Sequence, residues 1–273
     1  MASDGTREVL AVRYGYRVST RAETFLNYHI YGEPDGKQEV DYFFWVIRDS
    51  DGTVALVDTG FAPAVGERRG RTGFTTPADA LPGLGIDPGA VRTVIVTHAH
   101  WDHIGNLRQF PRAEIVMSRA EHDFWTGPVA HRAQFAAHAE PDELAWLKSA
   151  RADGRLTLIT GQHTTLPGVG LAEVGGHTPG ELIVTVAIAG GTVVIASDAL
   201  HYYEEVERDR PFAILADLPD MYRAYDLLAG LAAQPRTWLV AGHDPAVRDR
   251  FAPYRGDPAI TDLTAPVSAT GLP

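Results

Sequence analysis

The chain has 273 residues, 45% hydrophobic and 22% charged, an ordinary globular composition with room for one large domain or two small ones. A formal net charge of −11 argues against a polyanionic partner, because a nucleic-acid binder presents a basic face. Absence of cysteine excludes disulfides, thiolate nucleophiles and Cys-ligated zinc, and no run approaches the roughly eighteen apolar residues of a membrane span. Residues 1–8 lack the basic-then-apolar form of a secretory signal, so a cytoplasmic location is expected.

Residues 8–15, 41–48 and 53–58 read as strands, with Asp49-Ser50-Asp51-Gly52 a hairpin turn between the last two. Residues 61–75 are rich in Gly and Arg and read as an irregular loop, in which Glu67-Arg68-Arg69-Gly70-Arg71 is solvated. A short helix is expected over about 77–84, then a strand at 92–97, helical patterning at 101–109 and a strand at 113–117. Helical periodicity runs through the variable segment 119–152. Strands follow near 155–160, 170–175, 182–188 and 192–197, then a helix over about 218–233 and a strand at 237–241. The Pro- and Thr-rich tail from about residue 257 is expected to pack loosely. No repeat or linker divides the chain, so residues 1–273 read as one domain. Early and late strand groups flank a helical middle, which suits a pseudo-symmetric four-layer sandwich.

Residues 98–103 read His-Ala-His-Trp-Asp-His. Imidazole nitrogen and carboxylate oxygen are ligands for zinc, iron, manganese or cobalt. Crowded into one turn, these groups repel or compete for protons unless a cation ties them together. Further along, apolar strand-like runs each end in a potential ligand: 91–97 in His98, 171–176 in His177, 192–197 in Asp198 and 237–242 in His243. Loops at the ends of buried strands are where rigid scaffolds present functional groups. The pairs Gly176-His177 and Gly242-His243 put a ligand where backbone can approach closely. His29, His122, His131, His138 and His163 have no such pattern and read as surface or structural.

The ordered set His98-x-His100-x-Asp102-His103, His177, Asp198, His243 resembles the metallo-β-lactamase superfamily. The likeness extends to Leu56-Val57-Asp58-Thr59-Gly60, Gly176-His177-Thr178-Pro179-Gly180, Ala196-Ser197-Asp198-Ala199 and Gly242-His243-Asp244. It implies an α/β (α+β) fold, an αββα sandwich with helices outside and metals at one edge. Within the superfamily the chain looks closest to the N-acyl-homoserine-lactonase and pyridoxolactonase branch, the quorum-quenching enzymes. That resemblance implies two divalent ions, zinc first, with manganese, iron or cobalt as alternatives. His98, His100 and His177 would hold one ion, Asp102, His103 and His243 the other, and Asp198 would bridge both. A hydroxide held between them would attack the carbonyl of a small or N-acylated lactone, and Asp102 would protonate the leaving alkoxide. Asp58 would lie beside the metal shell and orient a ligand histidine.

Two departures stand out. Lactonases usually carry a tyrosine three residues after the bridging aspartate, where it helps polarise the substrate carbonyl; here that position is His201, followed by Tyr202 and Tyr203. Tyr202 or His201 is therefore the expected catalytic partner, with Tyr203 and Phe44 as substrate contacts. Glu181 stands where many relatives have His or Ser. Rival readings are a glyoxalase-II-like thioesterase or other ester or amide hydrolase, a mononuclear-iron oxygenase, and a non-catalytic binder. A full ligand set disfavours the last two. The expected partner is a small lactone or ester, with neither nucleic acid nor membrane, acting on a monomer or homodimer.

Overall fold

The run Tyr42-Phe43-Phe44-Trp45-Val46-Ile47 is apolar throughout, because both of its faces are buried. In the computed structural model, which describes residues 7–267, Tyr42, Phe44 and Val46 join a core beneath helices. Phe43, Trp45 and Ile47 point the other way, into a core shared with a second sheet. Alternation along a strand divides one run between two interfaces.

The chain first lays down β1 (Glu8–Thr20), β2 (Lys37–Arg48), β3 (Val54–Val57), β4 (Thr72–Gly73), β5 (Thr93–Ile95), β6 (Glu114–Ser118) and β7 (Leu156–Ile159). It crosses to a second sheet as β8 (Gln162–Leu166), β9 (Val169–Glu173), β10 (Leu182–Ile188), β11 (Gly191–Ser197) and β12 (Thr237–Ala241). It then returns with β13 (Phe251–Tyr254) and β14 (Asp257–Pro266). The first sheet has the order β13-β14-β1-β2-β3-β5-β6-β7, with β4 pairing β1; the second runs β12-β11-β10-β9-β8. The helices Arg119–Trp125 and Pro141–Ala152 contribute Trp125, Leu147 and Ala150 to the outer core of the first sheet. Helix Leu218–Ala232 packs Met221, Ala224, Tyr225 and Leu228 against the second. The layers are therefore helix, sheet, sheet, helix. Parallel pairs β3–β5 and β11–β12 bring strand ends to a common edge, and the loops leaving those ends carry Asp58, His98, Asp198 and His243.

Several local expectations need correction. Residues 61–75 are not irregular throughout: Pro63 starts a helix, Pro63–Arg68, and Thr72–Gly73 pairs with β1. Residues 101–109 form turns and a short 3-10 segment, Leu107–Gln109, in place of a regular helix. Their backbone bonds go to other loops, with Thr59 N–H donating to His103 O at 2.7 Å and Trp101 N–H to His138 O at 3.1 Å. Residues 257–266 of the expected loose tail instead form β14, which pairs with both β1 and β13 and buries Leu263; residues 268–273 of that tail lie outside the described residues. Pairing satisfies the backbone of β1, which would otherwise be an open edge.

Candidate metal centre

Two loops need glycine before their histidine. Gly176 has φ +90°, and a Cβ there would lie 2.7 Å from Met221 Cα; at Gly242 it would lie 2.5 Å from the Ser197 carbonyl oxygen. Both contacts press a ligand loop against a neighbouring element. Asp58 (φ 60°) and Ser197 (φ 47°) at this edge also adopt left-handed backbone.

Seven donors converge there in two groups, His98, His100, His177 and Asp198, and Asp102, His103 and His243, each with ligand atoms within 4.8 Å of one another. Asp198 links them. Its Oδ2 faces His177 Nε2 at 3.4 Å and His98 Nε2 at 3.7 Å, while its Oδ1 faces His243 Nε2 at 3.1 Å and His103 Nε2 at 3.4 Å. Asp102 lies 3.9 Å from both His103 Nε2 and His243 Nε2.

The donor chemistry fits cations. His177 Nδ1 donates to the Ile214 carbonyl at 2.8 Å, and His243 Nδ1 donates to the Asp41 carbonyl at 2.7 Å. His103 Nδ1 is held by Asp58 Oδ2 at 2.8 Å. Each outer bond fixes the tautomer and turns an Nε2 lone pair inward. Inside, His177 Nε2 and His98 Nε2 both crowd His100 Nδ1, at 2.8 and 3.1 Å, where one N–H could serve only one of them. His103 Nε2 and Asp198 Oδ1 are buried with no hydrogen-bond partner. Buried groups are rarely left so; a cation at each group would satisfy them.

Electrostatics agree. Burial, reinforced by the neighbouring imidazoles, holds His98, His100 and His177 well below the ordinary imidazole range, leaving them neutral and ready to ligate. Burial opposes ionisation of Asp198, yet the imidazoles of His243, His201 and His103 hold its carboxyl well below the usual range. Behind His98, the buried Glu181 carboxyl stands 3.2 Å from Nδ1, and burial with the nearby Asp198 and Glu121 pushes its pKa up.

A family profile described as the Metallo-beta-lactamase superfamily matches residues 40–243, a span that contains all seven donors. The chain belongs to this superfamily. N-acyl homoserine lactonase AttM of Agrobacterium fabrum is 26% identical over 185 residues, covering 66% of this chain and 67% of the relative. N-acyl homoserine lactonase AiiA of Bacillus thuringiensis subsp. kurstaki is 26% identical over 134 residues, 49% of this chain and 48% of the relative. Among solved structures, a quorum-quenching N-acyl homoserine lactone lactonase superposes with a TM-score of 0.72 at 20% identity, covering 90% of this chain and 95% of that one. AidC, a dizinc quorum-quenching lactonase, gives a TM-score of 0.71 at 21% identity over 88% of each chain. These superpositions show the shared fold.

In this superfamily member five of the donors, His100, Asp102, His177, Asp198 and His243, open onto a cleft of about 160 Å³. His201 lines it, with Nε2 3.1 Å from Asp198 Oδ2 and its ring stacked 3.7 Å from that of Phe212. Burial favours the neutral imidazole, but the Asp198 and Glu205 carboxylates outweigh it and raise His201 to about 9. Three expected contacts lie elsewhere. Tyr202 donates its hydroxyl to the Glu39 carbonyl at 3.0 Å and packs against Phe25. It caps the helix Tyr203–Glu207, and the chain turns there, so residues 201 and 202 face opposite ways. Tyr203 donates to the Leu239 carbonyl at 3.0 Å in the inter-sheet core, under the Arg250 guanidinium. Phe44 faces the helix-side core beside Tyr14.

Sequence reasoning missed most of the cleft wall. Trp101 lines it under the guanidiniums of Arg69 (4.8 Å) and Arg71 (5.6 Å), so two arginines of the run read as solvated line the cleft. His138, read as surface or structural, lines it 5.5 Å from the His100 ring. Phe212 and Ile214 line it beside His201 and His177. Only the basic run carried a signal, three arginines in an acidic chain.

Proposed function

We propose that this chain is a dinuclear metal-dependent hydrolase that opens a lactone. The observation that carries the reading is the division of Asp198, whose two oxygens face different imidazole pairs. A carboxylate so placed is suited to bridge two cations. His98, His100 and His177 would hold one ion, and Asp102, His103 and His243 the other. Bound there, two divalent ions would acidify a water toward neutral pH and polarise an ester carbonyl. N/O donors suit zinc, manganese, iron or cobalt, and the dizinc relative favours zinc.

The chain's own residues do the rest. Asp58, Ile214 O and Asp41 O orient the imidazoles of His103, His177 and His243. Asp102 faces the cleft with its carboxylate and can carry a proton to the departing alkoxide oxygen. His201 lines the cleft with Nε2 beside Asp198 and would donate from there to a substrate carbonyl, a role Tyr202 cannot take from its position against Glu39. The named activities of AttM and AiiA support a lactone in preference to a thioester or amide. Among the described residues no helix is long and apolar enough to cross a membrane.

The test is a pH-indicator hydrolysis assay over a lactone panel, with metal content measured on the same sample. Acid release with about two metals per chain is expected. Two metals without turnover of any lactone would overturn the lactonase reading, and one metal per chain would overturn the dinuclear one.

A further inference from the structure

The cleft that holds Asp102 and Asp198 is also lined by Arg17, Arg69 and Arg71, in a chain of formal charge −11. Arg69 is fully engaged: its Nε and Nη2 donate to Glu140 and its Nη1 to the Ala137 carbonyl. The other two are not. Arg71 donates from Nε to the Tyr42 hydroxyl at 2.9 Å and from Nη1 to the Arg69 carbonyl at 2.5 Å, both neutral acceptors. Arg17 makes no side-chain hydrogen bond among the described residues, and its Nε is buried without a partner. Neither forms an ion pair with any described carboxylate.

Strand pairing sets these two charges together. Gly15 pairs with Gly73 and Tyr16 with Thr72, so Arg17 and Arg71 each stand one residue beyond the last paired rung. Like charges on neighbouring strands are destabilising, and a half-buried guanidinium without an acceptor costs more still. Both lie near Tyr42, where their positive charge opposes the burial and the Asp102 carboxylate that push its phenol up. Two unneutralised guanidiniums lining one cleft are a receptor for a planar oxyanion, with Arg71 Nη2 making no hydrogen bond to a described residue.

We infer that Arg17 and Arg71 form a carboxylate subsite, so that the lactone or ester hydrolysed here carries a second, anionic group. The inference rests on the hydrolase reading for the identity of the scissile bond, but the subsite stands on its own geometry. A cleft of about 160 Å³ suits a compact ring bearing a carboxylate better than a long neutral acyl chain. An anionic substrate would place its carboxylate against the arginines and its ester carbonyl against the metal-binding donors.

The experiment compares matched ligands on metal-loaded protein. Glutarate and its monoamide differ only in the second charge, and their affinities are measured by calorimetry. The γ-lactone 5-oxotetrahydrofuran-2-carboxylate and its carboxamide make the corresponding pair for turnover. Wild type should bind glutarate at least about tenfold tighter than the monoamide, and in both Arg17→Gln and Arg71→Gln that ratio should fall toward one with metal content unchanged. If Arg17→Gln does not fold, Arg17→Lys and Arg71→Gln carry the comparison, Arg17→Lys retaining charge but losing the fork. A ratio near one in wild type, or a preference that survives both substitutions, overturns the inference and leaves the hydrolase reading intact. Glutarate preference lost on substitution, with neither lactone hydrolysed, supports the subsite while counting against the lactonase reading.

Discussion

Asp58 and His103 are bound at 2.8 Å, carboxylate Oδ2 to ring Nδ1, and the other carboxylate oxygen accepts the backbone N–H of Thr97 at 2.8 Å. One side chain thus ties the loop after β3 to the turn that carries His98, His100 and Asp102. Asp58 itself sits at φ 60°, a conformation Asn tolerates. Asp58→Asn should therefore fold but lose the charged acceptor that turns His103. Metal affinity at the second group should fall about 10- to 100-fold, read by chelator competition, with hydrolysis falling alongside. Unchanged affinity would show that Asp58 acts only in the turn.

His100→Ala and Asp198→Asn alter donors with different partners. His100→Ala should deplete one ion, whereas Asp198→Asn should weaken both, because each Asp198 oxygen faces a different imidazole pair. Both variants should lose essentially all hydrolysis. Metal analysis after dialysis distinguishes the two patterns, and full activity in either would sink the dinuclear mechanism.

Chelation should destabilise the wild type in the same way. Seven donors with inward lone pairs are left facing one another once the cations leave. Any ligand that binds only the folded state adds stability by mass action. The melting temperature should drop on exhaustive chelation and recover on adding zinc. No change would mean the donors hold no metal in the folded chain.

His201 and Tyr202 should separate cleanly. Tyr202→Phe removes one hydrogen bond to the Glu39 carbonyl, with an expected stability loss of about 1 kcal/mol and turnover little altered. His201→Phe should lower kcat more than it raises KM, with metal content retained. The reverse outcome would return the carbonyl-polarising role to the tyrosine.

Glu143 supplies a pH signature away from the site. Its Oε2 is buried without a partner, and burial raises the carboxyl to about 7 from an ordinary 4.5. Below the unfolded value both states are protonated and no penalty arises. As pH rises from there through about 7, the unfolded chain releases the proton first, so this group subtracts stability progressively and fully above that range. Glu143→Gln should therefore gain about 1 kcal/mol at pH 8, less than the full linkage value because partial solvent contact screens the charge, and little at pH 5. Denaturant melts at the two pH values check it; an equal gain at both would refute the assignment.

By itself the sequence determined the strand alternation, the seven donor positions and the glycines before His177 and His243. These are local properties: side-chain period, ligand type and backbone freedom are written in neighbouring residues. Alternation could not say which of Phe43 and Phe44 faced which core, since both faces of β2 are buried. Residues 257–266 became β14 because β1 presented an edge to pair, which composition does not register. His201 lines the cleft and its neighbour Tyr202 does not, because Tyr202 is the N-cap of the helix Tyr203–Glu207 and its hydroxyl is tied to the Glu39 carbonyl. The cleft wall was decided last and furthest from the sequence. Arg17, Arg71, Trp101, His138 and Phe212 come from separate elements. Only the docking of those elements brings them to one opening, and contacts between distant segments leave no spacing to read.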